Sequence, residues 1–426
     1  MTGAVKPDGE RLARTLTLLA DAEVGGTPGG GVSRPAGSDA DGRARSRFAE
    51  LARKLGLEVR VDDIGNMYAE RAGADRTALP VVVGSHLDTV VPGGRYDGIL
   101  GVALALEAAA LLNDEEVKTR RPVVVVNWTG EEGARFPPAM LGSGVIAGFW
   151  DAQFALSRTD ADGIRLDEEL ERIGFLGSPE HRLSGFHVAL EAHIEQGTQL
   201  EELDADVGVV TAISPVRWAT VRVTGTGGHA GGPGPVGRQE AMVAASRMIA
   251  AARDRSLAAN GDFKTTVGTV RVLPGSNNVI PHDVTFNLDI RSVDDEKVEL
   301  HLREVTELFG QIAHEEGVQV SVDRFWSMTS APFDREVRAL LSRLATDQGV
   351  RWAPVRGTIG HDTVHLAAVG PAAMLFTRTT GGLSHCEEED APWESVLATA
   401  GVLAGAVFAL AEPASIGRSS PKESFT

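Results

Sequence analysis

The sequence predicts an α/β protein carrying an inserted second domain, and three observations support that class. The chain has 426 residues, more than one hydrophobic core usually serves, so two domains are expected. Two short, continuously apolar and β-branched runs, Pro80-Val-Val-Val-Gly and Pro122-Val-Val-Val-Val-Asn, flank a helical stretch at 98–113. Strand, helix and strand in that order indicate a layered α/β domain whose strands are buried in a mixed or parallel sheet. From about 214 the texture changes to βαββαβ over about 110 residues, the ferredoxin-like pattern.

In chain order, apolar residues at helical spacing predict a helix over 9–22, and a Gly-rich segment (25–33) leads to a second helix over 39–56. A strand pair follows at 57–61 and 66–70, turning at 62–65, then the strand, helix and strand just named. In the inserted region 216–225 alternates as a half-buried strand and 238–253 reads as a helix. Strands at 264–272 and 284–291, a helix over 294–317 and a strand at 318–325 complete it. The α/β texture resumes with helices at 336–348 and 362–369, a strand at 372–377 and a last helix near 392–411. The expected division is therefore 1–212 and 329–412 for the first domain, 213–328 for the insertion, and a polar, disordered tail at 413–426.

Net charge is −18, which disfavours nucleic acid or an anionic membrane as a partner, since both reward clustered Lys and Arg. The single cysteine, Cys386, excludes an internal disulfide framework. The N-terminal residues lack the basic and apolar pattern of a secretory signal, and the two most apolar runs are too short to span a bilayer. A soluble, cytoplasmic protein is expected.

Five segments carry chemistry. Val-Gly-Ser-His86-Leu-Asp88-Thr follows a buried strand, at the end where open α/β sheets build their sites. Alone, it also describes a satisfied histidine at a strand end. Tyr96-Asp97-Gly98 opens the next helix, where an Asp could equally be an N-cap. Trp128-Thr-Gly-Glu131-Glu132-Gly133 puts two carboxylates side by side, costly unless a cation or proton intervenes or the turn is solvated. Glu191-Ala-His193-Ile-Glu195-Gln196-Gly197 follows a presumed strand, and Gly381-Gly-Leu-Ser-His385 lies in a Gly-rich loop. Imidazoles and carboxylates in this mixture suit zinc or a similar divalent ion. One bridging carboxylate with two ligands on either side matches a pair of ions about 3.5–4 Å apart.

GSHLDTV, GRYDGILGV, EEGARF, EAHIEQG and GLSH, in this order, resemble the amidase/hydantoinase/carbamoylase branch of the dimetal aminopeptidase-like amidohydrolases. That branch includes N-carbamoyl-L-amino-acid hydrolases, allantoate amidohydrolases and β-ureidopropionases. The resemblance runs from about residue 9 to 411. It implies a mixed-sheet catalytic domain with an inserted ferredoxin-like lid and dimerisation domain. It implies two divalent ions (zinc, or manganese, cobalt or nickel), bridged by Asp97, with His86 and His193 on one and Glu132 and His385 on the other. By the same resemblance Asp88 would hydrogen-bond His86 and fix its tautomer, and Glu131, beside a ligand but not spent on metal, would be the general base. His229, in the Gly-rich segment at the end of the first lid strand, would reach a partner subunit's site and stabilise the developing oxyanion. Gln196, Asn278, Arg291, Gly360 and Gly382 match substrate-contacting positions, with Arg291 suited to gripping a carboxylate.

The implied reaction is hydrolysis of a carbon–nitrogen bond, not a peptide bond, in a linear ureido or amide substrate bearing a carboxylate. An N-carbamoyl-L-amino acid leads, with allantoate or ureidopropionate as alternatives and a homodimer through the lid as the assembly. A dimetal aminopeptidase or deacylase fits less well, because peptidase relatives place a carboxylate where His193 stands. This chain departs from the branch after His229, where Ala230-Gly-Gly-Pro-Gly-Pro-Val236 replaces a Thr-containing segment, and after His385, where Cys386-Glu387 replaces Asn-Pro.

Overall fold

The structure is a computed structural model and describes residues 6–232, 234–260 and 262–412, so the expected tail at 413–426 lies outside the described residues. The chain divides into two compact units. The first comprises residues up to Thr211 together with Pro332–Val355 and the chain from His361, and the second comprises Ala212–Ala331 with Arg356–Gly360.

The first unit is built on a mixed sheet. Its strand order is Glu58–Val61, Met67–Arg71, Val123–Trp128, Val81–His86, Val188–Ile194, Ala372–Thr377, Val207–Ile213 and Ala331–Pro332, with Trp352–Gly357 also paired to Val207–Ile213. The four central strands, from Val123–Trp128 to Ala372–Thr377, run parallel and are buried along their whole length. That is why they read as continuous valine-rich runs instead of alternating ones. The helix Ile99–Asp114 joins two of them and is buried on nearly every side, wedged against the sheet, the helix Gly9–Ala20 and the C-terminal helix Trp393–Leu410. Trp393–Leu410 is 18 residues long and apolar because it too packs in this core.

The second unit is an antiparallel sheet in the order Val270–Leu273, Asp283–Ser292, Val216–Thr224 and Gln319–Met328, with Phe263–Thr266 also paired to Asp283–Ser292. Alternate residues (Ala219, Val221 and Val223; Val284, Phe286, Leu288 and Ile290) face the helices Ala241–Ala258 and Asp295–Glu316 and form a separate core.

Several elements differ from the expectation. The helix read at 238–253 starts at Ala241, because Gln239 and Glu240 stay extended and Gln239 pairs with Thr226. The strand read at 264–272 is broken, because Asn287 Oδ1 takes the N–H groups of Gly268 and Thr269 in place of ladder partners. His193 lies inside the strand Val188–Ile194, not after it. The strands Val207–Ile213 and Trp352–Gly357 have no counterpart in the reading. Arg356–Gly360 was assigned to the first domain but returns to the second unit, where Gly357 and Thr358 carbonyls accept from Ser214 N (2.8 Å) and Arg291 Nη1 (2.6 Å).

Candidate metal centre

Parallel pairing brings the ends of three central strands to one edge of the first unit's sheet. His86 closes its strand opposite Trp128, which puts it beside the turn carrying Glu131 and Glu132. His193 sits one residue before the end of the next strand, opposite Phe376. Asp97 stands two residues before the helix Ile99–Asp114. That helix begins at Gly98 without a side-chain cap, so capping does not account for the aspartate. Gly98 itself is required. Its φ is +68°, and a Cβ there would lie 2.4 Å from the His86 ring.

The imidazoles of His86, His193 and His385 converge on Asp97. Its Oδ1 faces His193 Nε2 at 3.2 Å and His86 Nε2 at 3.5 Å, while its Oδ2 faces His385 Nε2 at 3.3 Å. Glu132 Oε2 lies 3.4 Å from His385 Nε2. The donor atoms form two groups, His86/Asp97/His193 and Asp97/Glu132/His385, each within 4.8 Å. Asp97 is the only member of both.

The imidazoles are already aimed. His86 Nδ1 meets the Asp88 carbonyl at 2.9 Å and His193 Nδ1 the Ile194 carbonyl at 3.0 Å, so each ring turns Nε2 inward. His86 Nε2 is buried with no hydrogen-bond partner, which an ion at this point would supply. The donor chemistry therefore fits a divalent ion.

Asp88 acts on His86 differently from the expectation. Its backbone carbonyl meets the ring, while its carboxylate accepts from the N–H groups of Glu131 and Glu132, both at 3.3 Å. The turn after Trp128 curls back over Asp88, so those two amides reach the carboxylate and leave the carbonyl for the imidazole.

Charge explains why this donor set suits a cation. Burial pushes Glu131 and Glu132 well above the usual carboxylate range, and Glu131 is raised further by Glu132, Asp362 and Asp97. Burial alone would raise Asp97 and lower His193. Their mutual hydrogen bond overrides this, holding Asp97 well below its ordinary value and carrying His193 up to about 9. The carboxylates thus call for positive charge, which without metal only the histidines' protons provide.

Two of these residues adopt left-handed backbone conformations that non-glycine residues rarely take, Gln196 (φ +57°) and His385 (φ +56°). Gln196 Nε2 donates to Asp97 Oδ2 (2.7 Å) and Ser384 Oγ (3.2 Å), and its Oε1 is buried without a partner. Gly382 lets the His385 loop approach the Gln196 loop, since a Cβ there would lie 2.9 Å from the Gly197 carbonyl carbon.

His229, Asn278, Arg291 and Gly360 belong to the second unit and are not part of this cluster. His229 is exposed on a short strand, opposite Val279. The Asn278 carbonyl accepts from Ala230 N at 2.9 Å. Arg291 is half-buried and held by both oxygens of Asp289 (3.0 and 2.9 Å) and by the Thr358 carbonyl.

The sequence reading did not single out Ser384, Glu389, Glu191 or Thr363. Glu191 accepts from Ser85 Oγ (2.7 Å) and Thr363 N (3.0 Å) beneath His193, and His361 packs 4.2 Å from the His193 ring with both nitrogens unpartnered. The signal for Glu191 was its alternation with His193 in one strand, which puts both on the same face.

A sequence profile of peptidase family M20/M25/M40 matches residues 82–409. The chain belongs to this family. It is 37% identical to an N-carbamoyl-L-amino-acid amidohydrolase of Rhizobium meliloti over 93% of this chain and 95% of that protein. It is 31% identical to the allantoate amidohydrolase of Bacillus subtilis strain 168, over 86% and 90% respectively. The crystal structure of an amidase of the hydantoinase/carbamoylase family from Burkholderia vietnamiensis superposes with a TM-score of 0.89 at 38% identity, covering 96% of this chain and 99% of that one. This M20-family chain is an enzyme, a metal-dependent amidohydrolase with a divalent metal site in its first unit.

Proposed function

We propose that this amidohydrolase holds two divalent ions, zinc or manganese, cobalt or nickel, and hydrolyses the carbamoyl C–N bond of N-carbamoyl-L-amino acids. Water adds to the carbamoyl carbon and the bond to the amino-acid nitrogen breaks. The amino acid leaves with a proton, and the carbamate decomposes to ammonia and carbon dioxide. The observation that carries this reading is the division of Asp97, one oxygen toward His86 and His193 and the other toward His385 beside Glu132. A bridging carboxylate with two further ligands on each side is the donor set of a two-ion hydrolase.

When bound, the ions would lower the pKa of water and polarise the substrate carbonyl. The protein's own part falls to named residues. Glu131 belongs to neither donor group, lies 3.6 Å from His86 Nε2 and is buried, so it is the free carboxylate placed to take a proton from the attacking water and return it to the leaving nitrogen. Asp88 fixes that carboxylate through the Glu131 and Glu132 amides. Gln196 offers Oε1 as an acceptor for a ureido N–H. Asp289 and Thr358 occupy three of the five N–H groups of Arg291, leaving one each on Nη1 and Nη2 for a substrate carboxylate. Asn278, Gly360 and Gly382 complete the substrate contacts, and His229 supplies the oxyanion donor in a partner subunit of a homodimer formed through the second unit. The exposed edge strand Gln319–Met328, with Phe325 59% exposed, supports that assembly. A cytoplasmic location suits the single cysteine.

The test is ammonia release from metal-reconstituted protein offered N-carbamoyl-L-amino acids, allantoate and 3-ureidopropionate. The carbamoyl amino acids should give the highest kcat/KM. Faster allantoate turnover would move the substrate assignment. Protein with both ions bound that turned over no ureido or amide substrate would sink the reading.

A further inference from the structure

The loop after His385 contains a buried carboxylate that the proposed reaction does not use. Glu389 is 2% exposed, although it lies in the acidic run Glu387–Asp390. Its Oε1 accepts from the backbone N–H of Tyr96 (2.8 Å) and of Asp97 (3.1 Å), and its Oε2 accepts from Ser384 Oγ at 2.8 Å. Ser384 Oγ also stands 2.9 Å from Asp97 Oδ2. The contacts close a ring around Asp97, its amide bonded to Glu389 and its carboxylate beside Ser384, whose single hydroxyl hydrogen is shared between Glu389 Oε2 and Asp97 Oδ2. The ring also pins the residue next to His385, across about 290 residues of chain.

Two further features point to the same residue. A Cβ at Gly94 would lie 1.9 Å from Glu389 Cδ, so the glycine preceding the Asp97 turn makes room for this carboxyl group. His385 is the most exposed of the three histidines, at 48%, and its backbone is left-handed, so its own burial does little to hold it.

We propose that Glu389 is a positioning residue for the ion held by Asp97, Glu132 and His385. It fixes the bridging aspartate and the His385 loop in one arrangement without itself being a ligand. The proposal rests on the two-ion reading above. A group that orients ligands in this way typically changes metal affinity by about 10–100-fold.

The test titrates zinc into metal-free wild type, Glu389→Ala, Glu389→Gln and Gly94→Ala against a chromophoric chelator, with near-UV circular dichroism of each metal-free protein. Wild type should take two ions. Glu389→Ala and Gly94→Ala should bind the second ion at least about 10-fold more weakly and the first ion less so, because the first shares Asp97 but not the His385 loop. Glu389→Gln should stay within about threefold, because its carbonyl can accept from both amides and its NH₂ can donate to Ser384 Oγ. If Glu389→Ala does not fold, Ser384→Ala, which leaves the carboxyl in place, should show the same selective loss. Equal weakening of both ions, unchanged affinity in Glu389→Ala, or a Gln variant as impaired as the Ala variant would each overturn the proposal. Failure of wild type to take a second ion would instead overturn the two-ion reading, and this inference with it.

Discussion

At the residue scale, the centre separates groups that hold an ion from groups that act on the substrate. Glu131 and Glu132 are adjacent, both buried and both raised by their neighbours, yet only Glu132 lies in a donor group. Glu131→Gln should therefore retain metal, measured by elemental analysis, and lose about 10²–10⁴-fold in kcat. His193→Ala should lose metal, because Asp97 Oδ1 would keep only one imidazole partner. A fully active Glu131→Gln would disprove the base assignment. Most of this was legible in sequence because the residues recur as short motifs with glycines around them, and those of His86 and of Glu131 and Glu132 follow an apolar run. Glu389 was not legible, since a run of four acids reads as a solvated face and only the fold reveals which one turns inward. Nor was the use of the Asp88 carbonyl in place of its carboxylate, because spacing places a residue without choosing which of its oxygens meets a neighbour.

At the element scale, the site depends on close packing between parallel strands. Gly84 lies two residues before His86, and a Cβ there would sit 2.1 Å from the Val126 carbonyl oxygen. Both strands are buried along their whole length, which leaves that backbone little room to move, so Gly84→Ala should destabilise the first unit by about 1–3 kcal/mol. It should also disturb His86 at the strand end. Urea melts would give the first effect and zinc affinity the second. A variant with wild-type values in both would show that the two strands can separate locally. The apolar strands and the Ile99–Asp114 helix could be read directly because burial on all sides writes itself into composition. The strand broken at Gly268 could not, since what breaks it is the Asn287 side chain from a strand about 20 residues away. The second unit's reach to Arg356–Gly360 was hidden for a similar reason, as hydrogen bonds donated to backbone carbonyls by the Ser214 amide and the Arg291 side chain leave no mark on the residues that receive them.

At the scale of the whole molecule, the two units should respond to different variables. Metal belongs to the first, and an ion at 100 times its Kd adds about 2.7 kcal/mol to the stability of whatever binds it. The second unit has its own titrating group, His301, buried in the face of its helix against Phe263 (ring centroids 4.0 Å apart), with Nε2 on Thr265 Oγ1 at 2.9 Å and Nδ1 unpartnered. Burial, reinforced by Arg255 and only partly opposed by Glu304, lowers its pKa from 6.5 to about 4. Above pH 6.5 the ring is neutral in both folded and unfolded chains and costs nothing. Between 6.5 and 4 the unfolded chain binds the proton more readily, so stability falls steadily with pH, by up to about 3 kcal/mol once the folded ring is charged as well. Calorimetry at several pH values, with and without zinc, should show a transition that moves with pH in this window and is insensitive to zinc. His301→Gln, which can still reach Thr265 and does not titrate, should flatten that pH dependence while leaving the zinc-dependent transition unchanged. If the variant kept the full slope, the acid sensitivity would have to come from carboxylates elsewhere in the unit, and His301 would be a packing residue only.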